Sequence, residues 1–315
     1  MRNGEKNMRF VTIRKDGAEL AGVVTKNGVL PVKDLNRAKG TAWEEELFSL
    51  IEAQQIPRLT AWYNAGGREE LEKLPGMIPK EEAVCAPLYR NPKRIFGIGL
   101  NYADHAADIG DAAPKGFPGS FFKMPDTLIG YGDEIHLPKM KETQRTTAEA
   151  ELGIIMGKDC RDVDEEHWEE AVVGYTTILD MTEESILKGN DFVDGNPRYL
   201  CIVKNFPTFF SFGPELVTPD EVPDVLKLRV QSVRNGKVYA ENDVAHMTHR
   251  PARLVSLHSS IFGWKAGDVL STGTPRAFPL AEGDVAECRI LGPDGFAMMP
   301  LKNPVRDLKL HPEME

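Results

Sequence analysis

Two glutamates one residue apart, Glu149 and Glu151, stand in the run Thr147-Ala148-Glu149-Ala150-Glu151-Leu152-Gly153-Ile154-Ile155-Met156. In a β-strand side chains alternate, so Ala150, Leu152, Ile154 and Met156 form one apolar face and both acids occupy the other. Two residues apart on one face, their Cβ atoms lie about 7 Å from each other, within reach of a single cation. The plainer alternative is a half-exposed strand whose acids face water. Further on, Gly174-Tyr175-Thr176-Thr177-Ile178-Leu179-Asp180 is a β-rich run ending in a carboxylate, the kind of position where sites are assembled. Asp180 could equally cap a turn or helix at Met181-Thr182-Glu183-Glu184. Lys204 lies in Val203-Lys204-Asn205-Phe206-Pro207-Thr208-Phe209-Phe210, where a lysine is either a snorkelling surface stem or a buried ammonium with a task.

His105 and Asp108 fall on one side of a helical turn. A carboxylate holding one imidazole nitrogen leaves the other free as a general base, although the same pair also suits a solvated helix contact. The preceding Ile95-Phe96-Gly97-Ile98-Gly99-Leu100 has two glycines but Tyr102 where a dinucleotide fingerprint needs the third, which argues against a nucleotide site. In Gly263 to Pro275 a turn and a strand lead to Ser271-Thr272-Gly273-Thr274. Its amides and hydroxyls could cradle a carboxylate, or form a plain tight turn. His246 and His249 lack a companion motif and read as structural or solvated.

The elements that would position these groups follow from turn and periodicity signals. Phe10–Ile13, Leu20–Val24 and Val29–Val32 read as a meander with turns at Lys15-Asp16-Gly17 and Lys26-Asn27-Gly28. A helix is expected from Thr41, whose spacing to Glu44 suits a capping box, burying Trp43, Leu47, Leu50 and Ile51. A second helical pattern runs around Leu59–Tyr63 to Gly66-Gly67, and Pro75-Gly76 through Pro87 reads as a linker. This divides the chain into a small N-terminal domain, 1–85, and a larger domain, 86–315. Asp164–Val172 is expected as a short helix with Trp168, Ala171 and Val172 inside, and Lys188 to Pro197 as a polar insertion. Leu226, Leu228 and Val230, with Asn235-Gly236 leading into Val238-Tyr239, predict a two-faced hairpin with a type I′ turn.

The 315 residues allow a large core, and 38 basic against 48 acidic residues give a formal charge of -10 without a Lys/Arg run. That balance argues against nucleic-acid or anionic-membrane partners, so an acidic substrate needs local cations. Cys85, Cys160, Cys201 and Cys288 are scattered, without zinc-site or disulfide-framework spacing, and suit a reducing cytosol. No secretory signal or apolar run near 18 residues is visible, so a cytoplasmic location is expected.

In order, the Gly-x-Gly-Leu-Asn-Tyr-x-x-His run, the Phe-x-Lys-x-Pro loop, Glu-x-Glu-Leu, Gly-Tyr-Thr ending in Asp180, the Lys204 segment, Phe-Gly-Pro and Gly-Asp-Val-x-x-Thr-Gly-Thr-Pro resemble the fumarylacetoacetate hydrolase family. The resemblance runs from about residue 93 to 306. It implies a mixed α+β fold, mostly β: a mixed β-roll/β-sandwich catalytic domain behind a small N-terminal α/β domain, in a homodimer. It further implies that Glu149, Glu151 and Asp180 hold a divalent ion. Their oxygen donors suit Mg²⁺ or Mn²⁺, with Ca²⁺ possible in the same site. His105, oriented by Asp108, would activate water, and Lys204 would counter oxyanion charge. Thr274, with Lys123, would seat the carboxylate of a small-molecule oxo-acid substrate.

Two departures stand out. Asp108 replaces a glutamate of the usual dyad, and Glu183-Glu184-Ser185 stands where an arginine usually meets the substrate's far end. The second predicts a neutral or hydroxylated distal group, unless Arg198 or Lys188 supplies the missing cation. The resulting reading is a metal-dependent carbon-carbon hydrolase of an acylpyruvate-like 2,4-dioxo acid. A decarboxylase or keto-enol isomerase of a related oxo-acid is the nearest alternative. A catalytically silent metal- and oxo-acid-binding protein is the alternative from another class.

Overall fold

A computed structural model describes residues 8–103 and 114–313. Its organising unit is the antiparallel pair Thr146–Met156 and Val172–Glu183, in register at Glu149↔Asp180 and Glu151↔Ile178. Opposed residues in such a ladder share a face, so all three acids project to one side. Asp180 is not at a strand end as the sequence suggested. The strand continues to Glu183 because every one of its residues is buried, which leaves no solvent-facing break in the ladder.

The pair sits within one mixed sheet. On one flank lie Val269–Ser271, Ile95–Gly99 and the edge strand Gly119–Lys123; on the other lie Glu215–Val217, Arg9–Lys15, Ala18–Val24 and Val29–Pro31. Phe210–Phe212 joins beside Asp180, pairing Phe210 with it. A second, five-stranded sheet contains Lys237–Asp243, Arg229–Arg234, Val285–Leu291, Leu301–Asp307 and Ile135–Leu137. The fold is mixed α/β and mostly strands, as expected.

The apolar face of the first long strand, Ala148, Ala150, Leu152, Ile154 and Met156, shares a core with Val230, Ala286, Ile290 and Leu301 of the second sheet. Burial there holds the acids on the opposite side. The predicted hairpin forms, although its first strand starts only at Arg229, after the turn Val225–Lys227 that takes up Leu226; Asn235 and Gly236 have φ 52° and 76°, the positive values a type I′ turn requires.

The N-terminal elements add to this scaffold without a break in apolar contact at residue 85. Met8, Phe10, Leu30, Leu35, Leu47 and Leu50 share a core with Ile155, Ile178, Phe210 and Val269. The expected capping box at Thr41 does not form. A helix already occupies Val32–Lys39 and ends at Gly40, whose φ of 65° suits a left-handed stop, so Thr41 falls in the connector and donates to Asn36 Oδ1. The next helix begins only at Leu47. Asp164–Val172 contributes just the turn Trp168–Ala171, although Trp168 and Ala171 are buried as predicted. No helix among the described residues is long and apolar enough to cross a membrane. All four cysteines are free.

Candidate metal centre

Glu149, Glu151 and Asp180 each offer one oxygen to a group whose atoms lie within 4.8 Å of one another. Each carboxylate has a distinct set of protein partners. Ser271 Oγ and the Gly273 amide both donate to Glu151 Oε2 at 2.6 Å, while Glu151 Oε1 is buried with no hydrogen-bond partner. Thr182 Oγ1 donates to Glu149 Oε1 at 3.2 Å. Lys123 Nζ donates to Asp180 Oδ1 at 2.6 Å. Lys204 Nζ bridges Glu149 Oε2 at 2.7 Å and Asp180 Oδ2 at 2.8 Å.

Burial, followed by the charges of Asp180 and Glu149, pushes the Glu151 carboxyl up to about 8. Burial works against the Lys204 ammonium, but Asp180, Glu149 and Glu151 outweigh it and hold that group above its ordinary value. Lys123 is pulled down to about 8, chiefly by burial, despite Asp180. An all-oxygen donor set with one buried, unpartnered oxygen and crowded like charges fits a hard divalent cation, which would relieve both defects.

The other residues singled out from sequence fall in different places. Lys204 joins the acids and lies 4.8 Å from the Phe121 ring centre, so it is a buried ammonium and not a snorkelling stem. Lys123 is also at the centre, but its side chain is fully buried and its N–H groups reach Asp180, Lys204 O at 2.5 Å and Met181 O at 3.4 Å. Thr274 is buried in the glycine-threonine loop, its hydroxyl directed to Arg276 O at 3.3 Å. That loop does hold a carboxylate on an amide, and the carboxylate is Glu151's own. Arg198 is exposed on the turn Pro197–Tyr199. His105 and Asp108 lie outside the described residues.

Glu183 is fully buried and caps the helix Glu184–Lys188, accepting from Gln144 N, Arg145 N and Thr146 Oγ1. Glu184 is not a bare anion: Lys188 Nζ lies 3.0 Å and Arg145 Nε 3.5 Å from its Oε2. Ser271 and Gly273 belong to the loop read as a possible carboxylate cradle, whereas Thr182 escaped attention as a partner of Glu149, because a lone small polar residue in a strand carries no distinguishing pattern. His249, read as structural, donates its backbone N–H to Asn101 Oδ1 and contacts Pro114 O through Nε2.

Two glycines near the centre have a packing purpose, one of them Gly97 of the rejected nucleotide motif. A Cβ at Gly97 would lie 2.4 Å from the Phe121 ring, the same ring that covers Lys204. Gly273, at φ 100°, leaves no space for a Cβ against Asn101.

The sequence profile of the fumarylacetoacetate (FAA) hydrolase C-terminal family matches residues 94–306. A Burkholderia lata protein whose hydrolase name is itself provisional is 38% identical over 184 residues, 58% of this chain. The match covers 61% of that relative, less than two thirds of its length. Maleylpyruvate hydrolase from Sphingobium sp. SYK-6, solved with manganese (II) and pyruvate, has the same fold at a TM-score of 0.71 and 23% identity, over 95% of this chain and 99% of that one. The 5-carboxymethyl-2-hydroxymuconate delta-isomerase of Mycobacterium smegmatis is 26% identical at a TM-score of 0.59, over 73% of this chain and 84% of that one.

Proposed function

The chain belongs to the fumarylacetoacetate hydrolase family, and from that premise we propose a divalent-metal-dependent hydrolase cleaving a carbon-carbon bond in an acylpyruvate-like 2,4-dioxo acid. The observation that carries this reading is the convergence of Glu149, Glu151 and Asp180 on one point with Lys204 Nζ across two of them. Three carboxylates against two ammoniums leave a formal charge of -1. A dication would make it +1, which the monoanionic head of an oxo-acid neutralises. Mg²⁺ and Mn²⁺ are the ions these donors suit best.

Glu149, Glu151 and Asp180 would hold the ion, which supplies Lewis-acid stabilisation of developing oxyanion charge when bound. Lys204 keeps a fixed positive charge beside that position and counters the negative charge of the departing pyruvate fragment. Resemblance to the family assigns His105 the proton of the attacking water, with Asp108 as its partner. The hydroxide oxygen bonds to the second carbonyl carbon. The carbon-carbon bond then breaks with its electron pair going to the pyruvate enolate, which takes up a proton. Arg145 and Lys188 already pair Glu184, so that acid is not a bare charge turned against a distal carboxylate.

Similarity to the Mycobacterium smegmatis isomerase favours a second reading, isomerisation of a related oxo-acid, with the same cations but no attacking water; decarboxylation would use the same groups. Incubating the protein with Mn²⁺ or Mg²⁺ and a panel of acylpyruvates, oxaloacetate and unsaturated oxo-diacids, with product identification, separates them. Pyruvate plus a carboxylic acid supports the hydrolase; carbon dioxide or an isomer supports the second reading. Metal binding without turnover would mean a silent binding protein.

A further inference from the structure

We infer that Lys123 determines which divalent ion the centre prefers, as a positioning residue that leaves Asp180 a single oxygen to offer. The inference rests on the metal-centre reading above. Lys123 has no exposed side-chain surface, and its ammonium is engaged by Asp180 Oδ1 and the carbonyls of Lys204 and Met181. It therefore acts on the site only through what it holds. With Oδ1 fixed by a charge-assisted bond, Asp180 turns Oδ2 toward Glu149 and Lys204.

The other two acids are restrained in the same sense. Thr182 holds one oxygen of Glu149, and Ser271 with the Gly273 amide holds one oxygen of Glu151. Three carboxylates each with an outer oxygen held by a protein donor, and with Lys204 alone on the inner oxygens of Glu149 and Asp180, suit a small ion that requires near-octahedral geometry and keeps several waters. A larger ion such as Ca²⁺ fills its 6–8 positions in part with bidentate carboxylates, which these partners disfavour. Lys123 is the strongest of the outer restraints because, unlike Thr182, Ser271 and the Gly273 amide, it is charged, and unlike Lys204 it holds a single acid from outside the cluster.

The test is a calorimetric titration of the full, chelator-treated chain with Mg²⁺, Mn²⁺ and Ca²⁺. It compares the unaltered protein with Lys123→Met and Thr182→Val. The unaltered protein should bind Mn²⁺ more tightly than Ca²⁺, and Lys123→Met should lower that ratio about tenfold or more by freeing Oδ1 for bidentate contact. Thr182→Val removes only a hydroxyl and frees Glu149 Oε1, so it should move the ratio the same way and decides the matter where Lys123→Met does not fold. An unchanged ratio, or a parallel fall for all three ions, overturns the inference while leaving the metal centre standing. If the unaltered protein binds none of the ions, the metal-centre reading itself fails.

Discussion

Glu151 concentrates the chemistry of this molecule at a single side chain. One oxygen is satisfied twice over, by Ser271 and Gly273, and the other is buried without a partner. A glutamine there keeps an oxygen for the Ser271 hydroxyl and the Gly273 amide but removes one of three negative charges. Glu151→Gln should therefore fold normally by circular dichroism while its Mn²⁺ affinity falls at least about tenfold in calorimetry. Unchanged affinity would place the ion elsewhere. Lys204 had two readings in the sequence, and its burial beside two acids rules out the snorkelling surface stem.

Helix Pro251–Ile261 shows how an element can carry a pH response away from the metal centre. His258 is buried between Phe96, at 4.5 Å, and Phe262, at 5.9 Å. Its Nδ1 lies 2.7 Å from Leu254 O, so the neutral ring donates there. Burial first, and then the nearby His249 and Arg253, hold its pKa below 6.5 against that helpful hydrogen bond. A histidine whose folded pKa is lowered stabilises the fold fully above its unfolded value and loses that contribution as pH falls through the folded one. The melting temperature should thus drop on acidification below 6.5, and His258→Phe should flatten that part of the curve in scanning calorimetry. At the strand pair Ile95–Gly99 and Gly119–Lys123, Gly97→Ala should cost about 1–3 kcal/mol by forcing the Phe121 ring to move. Denaturant unfolding measures that cost, and a weakened Mn²⁺ affinity would follow from the loss of the ring over Lys204.

The whole molecule is tied across its length by Arg9, on the first strand, which binds Glu215 at 2.9 Å and Glu221 at 2.7 Å. Burial raises the Glu215 carboxyl although Arg9 opposes it, so removing the guanidinium leaves two buried acids together. Arg9→Met should cost about 3 kcal/mol. Because the first strands are bonded into the same sheet as the metal-centre strands, through Phe10↔Leu216, the loss should appear as one cooperative transition shifted to lower denaturant. Two separate transitions would show that residues 1–85 unfold as an independent unit.

The amino-acid sequence by itself determined the features that depend on local periodicity. Alternation in 147–156 put both glutamates on one face, and Asn235-Gly236 specified its hairpin, because side-chain direction and turn conformation follow from the nearest few residues. Ordered motifs were enough to identify the family. Tertiary structure alone decided which partner holds each oxygen of the three acids and left Glu151 Oε1 without one, since the partners arrive from far along the chain: Ser271 is 120 residues from Glu151, and Lys123 is 57 from Asp180. The same long-range packing turned Lys123 toward Asp180 instead of outward and extended the Asp180 strand to Glu183. It also set Arg145 against Glu184, beside the local i,i+4 partner Lys188, so that an acid which reads as a repulsive charge in the sequence is already paired in the fold.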